Sequence, residues 1–213
     1  MNKDHLELLV TDYWREKLRD VIMPNALNGI PLGDDVLEIG SGPGMTTDLL
    51  RIDVAHLTAV ELDAGLAAQL ASRLAGTNVE VVHTDAAAMP FQGGRFTSVV
   101  SFTMLHHIPT VHLQDRVFAE VARVLRPGGL FVAADSCASA ELSALHVDDI
   151  YNPVEPTSVP DRLATAGFAE ARVQVHEGHW TVLARKPEQH RQGWVGCSRP
   201  RPPLQNPPAG NHS

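Results

Sequence analysis

Cysteine and long hydrophobic runs are both scarce in this sequence. Only two of the 213 residues are cysteine, Cys137 and Cys197, and the second lies in a polar, proline-rich segment. Such usage does not support a disulfide framework and is typical of a reducing compartment. No run of about 18 apolar residues occurs, so we expect no transmembrane helix, and the first residues do not resemble a secretory signal. These absences predict a cytoplasmic protein.

Basic charge is also in short supply. Lys and Arg number 17 against 25 Asp and Glu, which gives a formal net charge of −8. A general nucleic-acid binder needs a positive field to meet phosphates, so this balance opposes that class of function. The arginines that do cluster, Arg191, Arg199 and Arg201, lie near the end of the chain, where a solvated tail is the simpler interpretation.

Metal-binding motifs are a third absence. The sequence has 11 histidines, but it contains neither His-Glu-x-x-His nor Cys-x-x-Cys. Both patterns are typical of zinc sites. The sequence therefore predicts no metal site, although some of the histidines can line a pocket.

What is present is an alternation of strand-like and helix-like segments. Apolar residues at helical spacing predict a first helix over residues 5–23, ended by Pro24, and then a loop over 25–34. Five short strands are predicted at 36–39, 57–62, 79–82, 98–102 and 130–134. Helices are predicted between them at 45–52, 64–75 and 111–125, with a turn at 127–129. This alternation indicates a mainly parallel sheet covered on both faces.

The last part of the domain departs from this alternation. A helix is predicted over 160–166, ended by Gly167, and two strands follow at 171–175 and 180–184. The two strands must form an antiparallel hairpin, because a parallel return needs a crossover of a dozen or more residues. We expect one domain over residues 1–187. Within it, residues 1–31 form an N-terminal helix and loop and 137–157 a short lid. A disordered proline-rich tail is expected at 188–213.

A glycine-rich loop follows the first predicted strand. Gly40, Gly42 and Gly44 stand at every second position, where missing side chains let backbone approach a ligand. The next helix offers free N–H groups to a carboxylate or phosphate. This spacing differs from the dinucleotide pattern G-x-G-x-x-G. Glu61, at the end of strand two, can accept both ribose hydroxyls of an adenosine. Asp85, at the end of strand three, can accept a hydrogen bond from the adenine amino group.

Ordered motifs of this kind resemble those of class I S-adenosylmethionine-dependent methyltransferases. The motifs lie at residues 36–44, 59–63, 85–91, 96–107 and 120–129. The similarity covers about residues 32–134 and the terminal hairpin, and it is greatest to the small-molecule, type 11 group. In that group Leu-His-His follows strand four and Arg-Pro-Gly-Gly precedes strand five. One departure is Thr97, where the family usually has Asp.

The resemblance implies a fold and a cofactor. The fold is a three-layer, Rossmann-like α/β sandwich whose mainly parallel, seven-stranded sheet has the order 3-2-1-4-5-7-6, with strand 7 antiparallel. The methionine part of S-adenosylmethionine would contact the glycine loop and the end of strand four: Glu38, Gly40, Ser41, Gly42, Gly44, Phe102 and Thr103. The adenosine part would contact the residues after strands two and three: Glu61 for the ribose, Leu62 for the adenine face, and Asp85 and Ala86 for the adenine edge.

Methyl transfer is a direct displacement at an activated carbon, so the enzyme mainly aligns the acceptor, the methyl group and the sulfur. A general base is needed only when the acceptor loses a proton. His106 and His107, which follow strand four, have a suitable ordinary pKa near 6.5, and His107 is the preferred candidate. The alternative is that one of them buttresses the loop. Asp135, at the end of strand five, can orient a base, bind a polar acceptor, or merely cap a turn.

The short lid predicts a small-molecule acceptor. Tyr13 and Trp14 can close the cofactor pocket from the other side, or they can simply pack in the core. We expect a monomer or homodimer with no nucleic-acid or membrane partner. Two alternatives stay open. A nicotinamide-dependent oxidoreductase shares the strand–glycine–helix arrangement, and a non-catalytic S-adenosylmethionine-binding module is weakly suggested by Thr97.

Overall fold

The computed structural model describes residues 2–188. Seven strands in this part of the chain form one sheet. The strands in chain order are β1 (Asp35–Ile39), β2 (His56–Glu61), β3 (Val79–His83), β4 (Phe96–Phe102), β5 (Leu125–Ser136), β6 (Glu170–Val175) and β7 (His179–Arg185). Their order across the sheet is β3-β2-β1-β4-β5-β7-β6. Neighbours from β3 to β5 pair in parallel, and β7 is antiparallel to β5 and β6. The predicted sheet order is confirmed. The tail predicted at 188–213 lies, beyond Glu188, outside the described residues.

Helices cover both faces of this sheet. In chain order they are α1 (Lys3–Leu9), α2 (Asp12–Lys17), a π-helix (Leu18–Ile22), α3 (Met23–Leu27), α4 (Met45–Leu50), α5 (Ala64–Arg73), α6 (Val111–Val124), α7 (Ala140–Leu145) and α8 (Val159–Ala166). Within residues 2–188, no helix has both the length and the apolar character needed to cross a membrane.

The core divides between the two faces because successive strand residues point in opposite directions. Phe131 on β5 packs in one cluster with Phe118 of α6 and Leu163 of α8. Its neighbour Val132 packs in the other cluster, with Leu50 of α4 and with the π-helix. The three predicted layers are therefore present, and the carboxyl ends of β1–β5 meet along one edge of the sheet.

The single N-terminal helix predicted over residues 5–23 is wrong. Thr11 interrupts it, because its hydroxyl accepts the backbone N–H of Trp14 and begins α2. Pro24 does not end the helical region either; it stands in the first turn of α3, which continues directly from the π-helix. The chain leaves the helix only at Asn28, whose φ is 42°. Apolar spacing predicts the buried face of such a segment but not its breaks.

The turn predicted at residues 127–129 lies inside β5. Phe96 pairs with Leu125, whereas Ser98 pairs with Leu130, so residues 126–129 bulge out of the ladder. Gly128 permits this with a φ of 74°. The predicted start of strand five at residue 130 is where regular pairing resumes.

The segment predicted as a lid carries a helix that the sequence did not predict, α7, capped by the Ser139 hydroxyl. The lid segment is hydrogen-bonded to Asn2, the first residue that the structure describes. The backbone N–H of Asn2 donates to Asp149 Oδ2 at 2.8 Å, and its side-chain amide donates to the carbonyls of Leu145 and Val147 at 2.8 and 3.1 Å. The N-terminal segment and the lid therefore lie against each other.

Candidate cofactor and acceptor site

The glycine loop joins β1 to α4 along a left-handed path. Gly40, Gly42 and Gly44 have φ values of 74°, 52° and 89°, a region that favours glycine. A Cβ at Gly40 would collide with the side chain of Met104, whereas one at Gly42 would meet no atom within 4 Å. Glycine at position 40 thus allows the chain beyond β4 to pack on the loop.

Glu61 ends β2 as a nearly buried carboxylate. One of its oxygens accepts the backbone N–H of Gly42 at 2.7 Å, and the other accepts that of Asp63 at 2.8 Å. A carboxylate oxygen has two lone pairs, so each oxygen can accept one further donor. This fixed pair of acceptors suits two neighbouring hydroxyls.

Glu38 lies behind the glycine loop and is buried. Its two oxygens accept the hydroxyls of Thr46 and Thr47, the latter at 2.6 Å, in the first turn of α4. Burial raises the pKa of Glu38 to about 7, although these two hydrogen bonds oppose the effect. The carboxyl therefore ties β1 to α4 and holds the loop between them.

A cavity of about 660 Å³ lies at the carboxyl ends of β1–β4. Its volume falls in the range of about 300–1,000 Å³ that is usual for small-molecule sites. Most of the predicted cofactor residues line it: Gly40, Ser41, Gly42, Glu61, Leu62, Asp85, Ala86, Phe102 and Thr103. Glu38 and Gly44 do not line it.

Three of the lining residues show how the wall is built. Leu62 is 67% exposed and offers an apolar surface of the kind on which a flat ring can lie. The carboxylate of Asp85 is held in place because its Oδ1 accepts the backbone N–H of Ala87 at 2.8 Å. Thr103 adopts a φ of 52°, a conformation that is strained for a non-glycine residue and is often found at functional sites.

His106 forms a buried pair with Asp135. Its Nδ1 lies 2.5 Å from Asp135 Oδ1, and its backbone N–H donates to Asp135 Oδ2 at 3.0 Å. Burial lowers the pKa of His106, but the charge and hydrogen bond of Asp135 outweigh it, so the pKa ends above its ordinary value. Neither residue lines the cavity. Asp135 thus pairs with the imidazole of His106 and also accepts the backbone N–H of that residue in the turn after β4, and the roles considered for it stay predictions.

His107 lines the cavity, but its environment is unfavourable for a base. The pKa of His107 is lowered to about 2. Burial is the largest cause, and the charges of His106, His5 and His146 follow. A base with so low a pKa has little driving force for removing a proton near neutral pH. The general-base role that we assigned to His107 from the sequence stays a prediction, and this pKa counts against it.

His107 belongs to a group of imidazoles that the sequence did not reveal. His5 from α1, His107 from the turn after β4 and His146 from the lid each bring one ring nitrogen within 4.8 Å of the others. The rings of His5 and His146 are nine-tenths or more buried, at 5% and 4% exposed. The three positions lie far apart in sequence, so no local spacing rule could find them.

Three remaining predictions concern the edges of the site. Trp14 lines the cavity, whereas Tyr13 is 65% exposed and does not. Thr97 lies away from the cavity. Its hydroxyl is 2.7 Å from the carbonyl oxygen of Leu32 and 2.8 Å from that of Asp35, so it fixes the chain that leads into β1. The departure at Thr97 thus affects local structure and does not alter the cavity wall.

Comparisons with known proteins agree with this fold. Residues 36–129 match a family model described as a methyltransferase domain. Demethylmenaquinone methyltransferase from Clavibacter sepedonicus is 31% identical over 124 residues, which are 57% of this chain and 46% of that protein. The chain spans about half the length of the curated relatives that it matches.

Solved structures share the fold at low identity. Phosphoethanolamine N-methyltransferase 2 from Haemonchus contortus, solved with S-adenosyl-L-methionine, has a TM-score of 0.68 at 16% identity; the match covers 82% of this chain and 53% of that one. The cyclase SpnF has a TM-score of 0.63 at 17% identity, with 81% of each chain covered. These two likenesses show the fold alone.

Proposed function

We propose that the chain is a class I S-adenosylmethionine-dependent methyltransferase, as its match to a methyltransferase domain over residues 36–129 supports, and that it transfers the methyl group of that cofactor to a small-molecule acceptor. The observation that carries this proposal is one cavity that joins the glycine loop, Glu61 and Asp85 to an apolar wall beyond β4. Two reactants bound in one cavity can be aligned for direct displacement, which is the main contribution required of such an enzyme.

The cofactor would occupy the part of the cavity at the ends of β1–β3. Glu61 would accept the ribose hydroxyls through its remaining lone pairs, and Leu62 would cover one face of the adenine. Asp85 and Ala86 would contact the adenine edge. The methionine part would lie along the backbone of the glycine loop, and Glu38 would act indirectly by fixing the first turn of α4.

The acceptor would occupy the part of the cavity beyond β4. That wall combines apolar side chains with two polar groups: Leu6, Trp14, Ile108, Leu113, Ile150, His107 and Asp149. A mostly apolar wall with few polar groups suits a small organic acceptor that has one polar end. The relative from Clavibacter sepedonicus is named for a quinone acceptor, which supports the same class of compound.

Of the two alternatives raised by the sequence, the nicotinamide-dependent oxidoreductase is disfavoured. A dinucleotide-binding sheet runs 3-2-1-4-5-6, whereas here the antiparallel β7 lies between β5 and β6. The fold alone does not distinguish methyl transfer from other activities, since SpnF shares it and is described as a cyclase; the non-catalytic binding module therefore stays an alternative. Three predictions from the sequence are not tested by the structure. They are the absence of nucleic-acid and membrane partners, the monomeric or homodimeric state, and the cytoplasmic location.

Calorimetric titration with S-adenosylmethionine tests the cofactor assignment. We expect binding by the native chain and at least tenfold weaker binding by the Glu61→Ala variant, since one hydrogen bond to a charged group contributes about 1.5–3 kcal/mol. Glu80→Ala is the matched control, because Glu80 lies on the neighbouring strand β3 and does not line the cavity. Equal affinity in the two variants would remove Glu61 from the cofactor site.

Turnover requires a separate test. The native chain is incubated with S-adenosylmethionine and a small-molecule extract of its source cells, and the products are analysed by mass spectrometry. We expect a compound that is heavier by one methylene group, together with demethylated cofactor. Cofactor binding without any methylated product would favour the binding module and refute the enzymatic proposal.

A further inference from the structure

Several buried imidazoles converge beside the cavity without enough partners. Among residues 2–188, His5 Nδ1, His106 Nε2, His107 Nε2 and His146 Nε2 are buried imidazole nitrogens with no hydrogen-bond partner. A buried polar atom left without a partner is unfavourable. His5, His107 and His146 each bring one ring nitrogen within 4.8 Å of the others, so these three histidines can share one ligand.

The tautomer of one ring can be assigned from its neighbour. His146 Nδ1 lies 2.6 Å from the carbonyl oxygen of Leu142. A carbonyl oxygen only accepts hydrogen bonds, so Nδ1 carries a proton, and in the neutral ring Nε2 keeps its lone pair. A backbone carbonyl bound to the far ring nitrogen is the arrangement that usually orients a metal-ligating histidine.

We propose that His5, His107 and His146 bind a divalent metal ion, with Zn²⁺ as the best match, and that the remaining coordination position faces the acceptor cavity. Three neutral imidazoles form a common donor set for zinc with an open fourth position. One ring nitrogen from each histidine already lies within 4.8 Å of the others. Tetrahedral coordination with bonds of about 2.0–2.1 Å places ligand nitrogens about 3.4 Å apart. The rings therefore need to approach by at most about 1.4 Å.

The position of the cluster gives the ion access to the cavity. His107 and Asp149 line the cavity, and Asp149 accepts the backbone N–H of Asn2 from the N-terminal segment. An ion held beside His107 can coordinate an oxygen of the acceptor or a water molecule. The metal site itself does not depend on the proposed methyl transfer; only the ion's use in holding an acceptor does.

Neighbouring groups support the three rings. Tyr151 stacks on His146 with 4.7 Å between ring centroids. His106, oriented by Asp135, lies with its ring centroid 4.2 Å from that of His107. These contacts fix the rings of His107 and His146, while His5 comes from the short helix α1 and can adjust its position.

Metal titration of the full chain tests the proposal. The protein, with any purification tag removed, is stripped with a chelator, dialysed and titrated with Zn²⁺ by calorimetry, and with Co²⁺ by visible absorption. We expect one ion per chain and the strong visible bands of tetrahedral Co²⁺. The His5→Ala and His146→Ala variants should bind Zn²⁺ at least about 100-fold more weakly, since even losing an outer contact costs 10–100-fold.

His112→Ala is the matched control, because His112 is exposed on α6 and outside the cluster. If His146→Ala fails to fold, His146→Gln and His5→Ala serve instead. S-adenosylmethionine affinity, measured on the same samples, should be unchanged, because neither His5 nor His146 lines the cavity. Absence of one-to-one Zn²⁺ binding, or equal affinity in the cluster variants and the control, overturns the metal site. Failure of the native chain to bind S-adenosylmethionine would instead overturn the proposed function.

Discussion

Replacing Glu38 with Gln should remove a pH-dependent cost that the native carboxyl imposes on folding. Burial raises the folded-state pKa of Glu38 to about 7, compared with 4.5 for an ordinary glutamate. Because the folded-state pKa is the higher of the two, the contribution of Glu38 to stability is complete below pH 4.5. It is lost as the pH rises through 7.

The size of this effect follows from the two pKa values. The interval from 4.5 to about 7, at about 1.4 kcal/mol per pH unit, corresponds to about 3 kcal/mol. The Gln side chain is uncharged throughout, and its carbonyl oxygen can still accept a hydroxyl from Thr46 or Thr47. We therefore expect the free energy of unfolding of Glu38→Gln, relative to the native chain, to rise by about 3 kcal/mol between pH 4.5 and about 8.

Urea unfolding followed by circular dichroism across this pH range measures the difference. Comparing variant and native chain at each pH cancels the titration of the other groups. Glu141→Gln is the control of opposite sign, because the backbone N–H of Glu141 and the hydroxyl of Ser139 lower the pKa of Glu141. Its relative stability should fall as the pH rises toward 4.5 and should change little from there to pH 8, so the series for this control begins below pH 4.5. A difference for Glu38→Gln that stays flat with pH would refute the raised pKa of this buried carboxyl.

Two further substitutions test the packing around the site. Asp135→Ala should lower the free energy of unfolding by about 3–5 kcal/mol, because it leaves a buried imidazole unpaired. The half-exposed Asp115→Ala should cost about 1 kcal/mol or less in the same denaturation assay, and equal losses would contradict the buried pair. Gly40→Ala should cost more than Gly76→Ala, although both have a left-handed φ, because only the former would collide with Met104. Equal melting temperatures for these two variants would exclude the close approach.

The sheet could be predicted because its signals are local. Short apolar segments end at Gly40, Glu61 and Asp85, and the chain between them is long enough for one helix each. These residues lie at strand ends, so parallel order alone brings them to one edge of the sheet. The terminal hairpin was equally plain, because its two strands are too close for a parallel return.

The histidine cluster could not be predicted because its signals are not local. His5 and His146 come from a short helix and from a lid whose helix the sequence did not indicate, and tertiary packing alone brings them to His107. Spacing also could not distinguish His106 from His107. Adjacent side chains in one turn reach different surroundings, a buried carboxylate in one case and the cavity in the other.

The hydrogen bonds from Asn2 to the lid have a kinetic consequence. Leu6 of α1 and Ile150 of the lid both form part of the cavity wall, and Asn2 joins the two segments through Asp149 and Leu145. Widening the cavity on this side therefore breaks contacts in both segments at once, as in a cooperative unit of local unfolding. For a ligand that enters on this side, the free energy of that shared opening would slow association and dissociation alike, so it would lengthen the residence time without changing the contacts of the bound ligand.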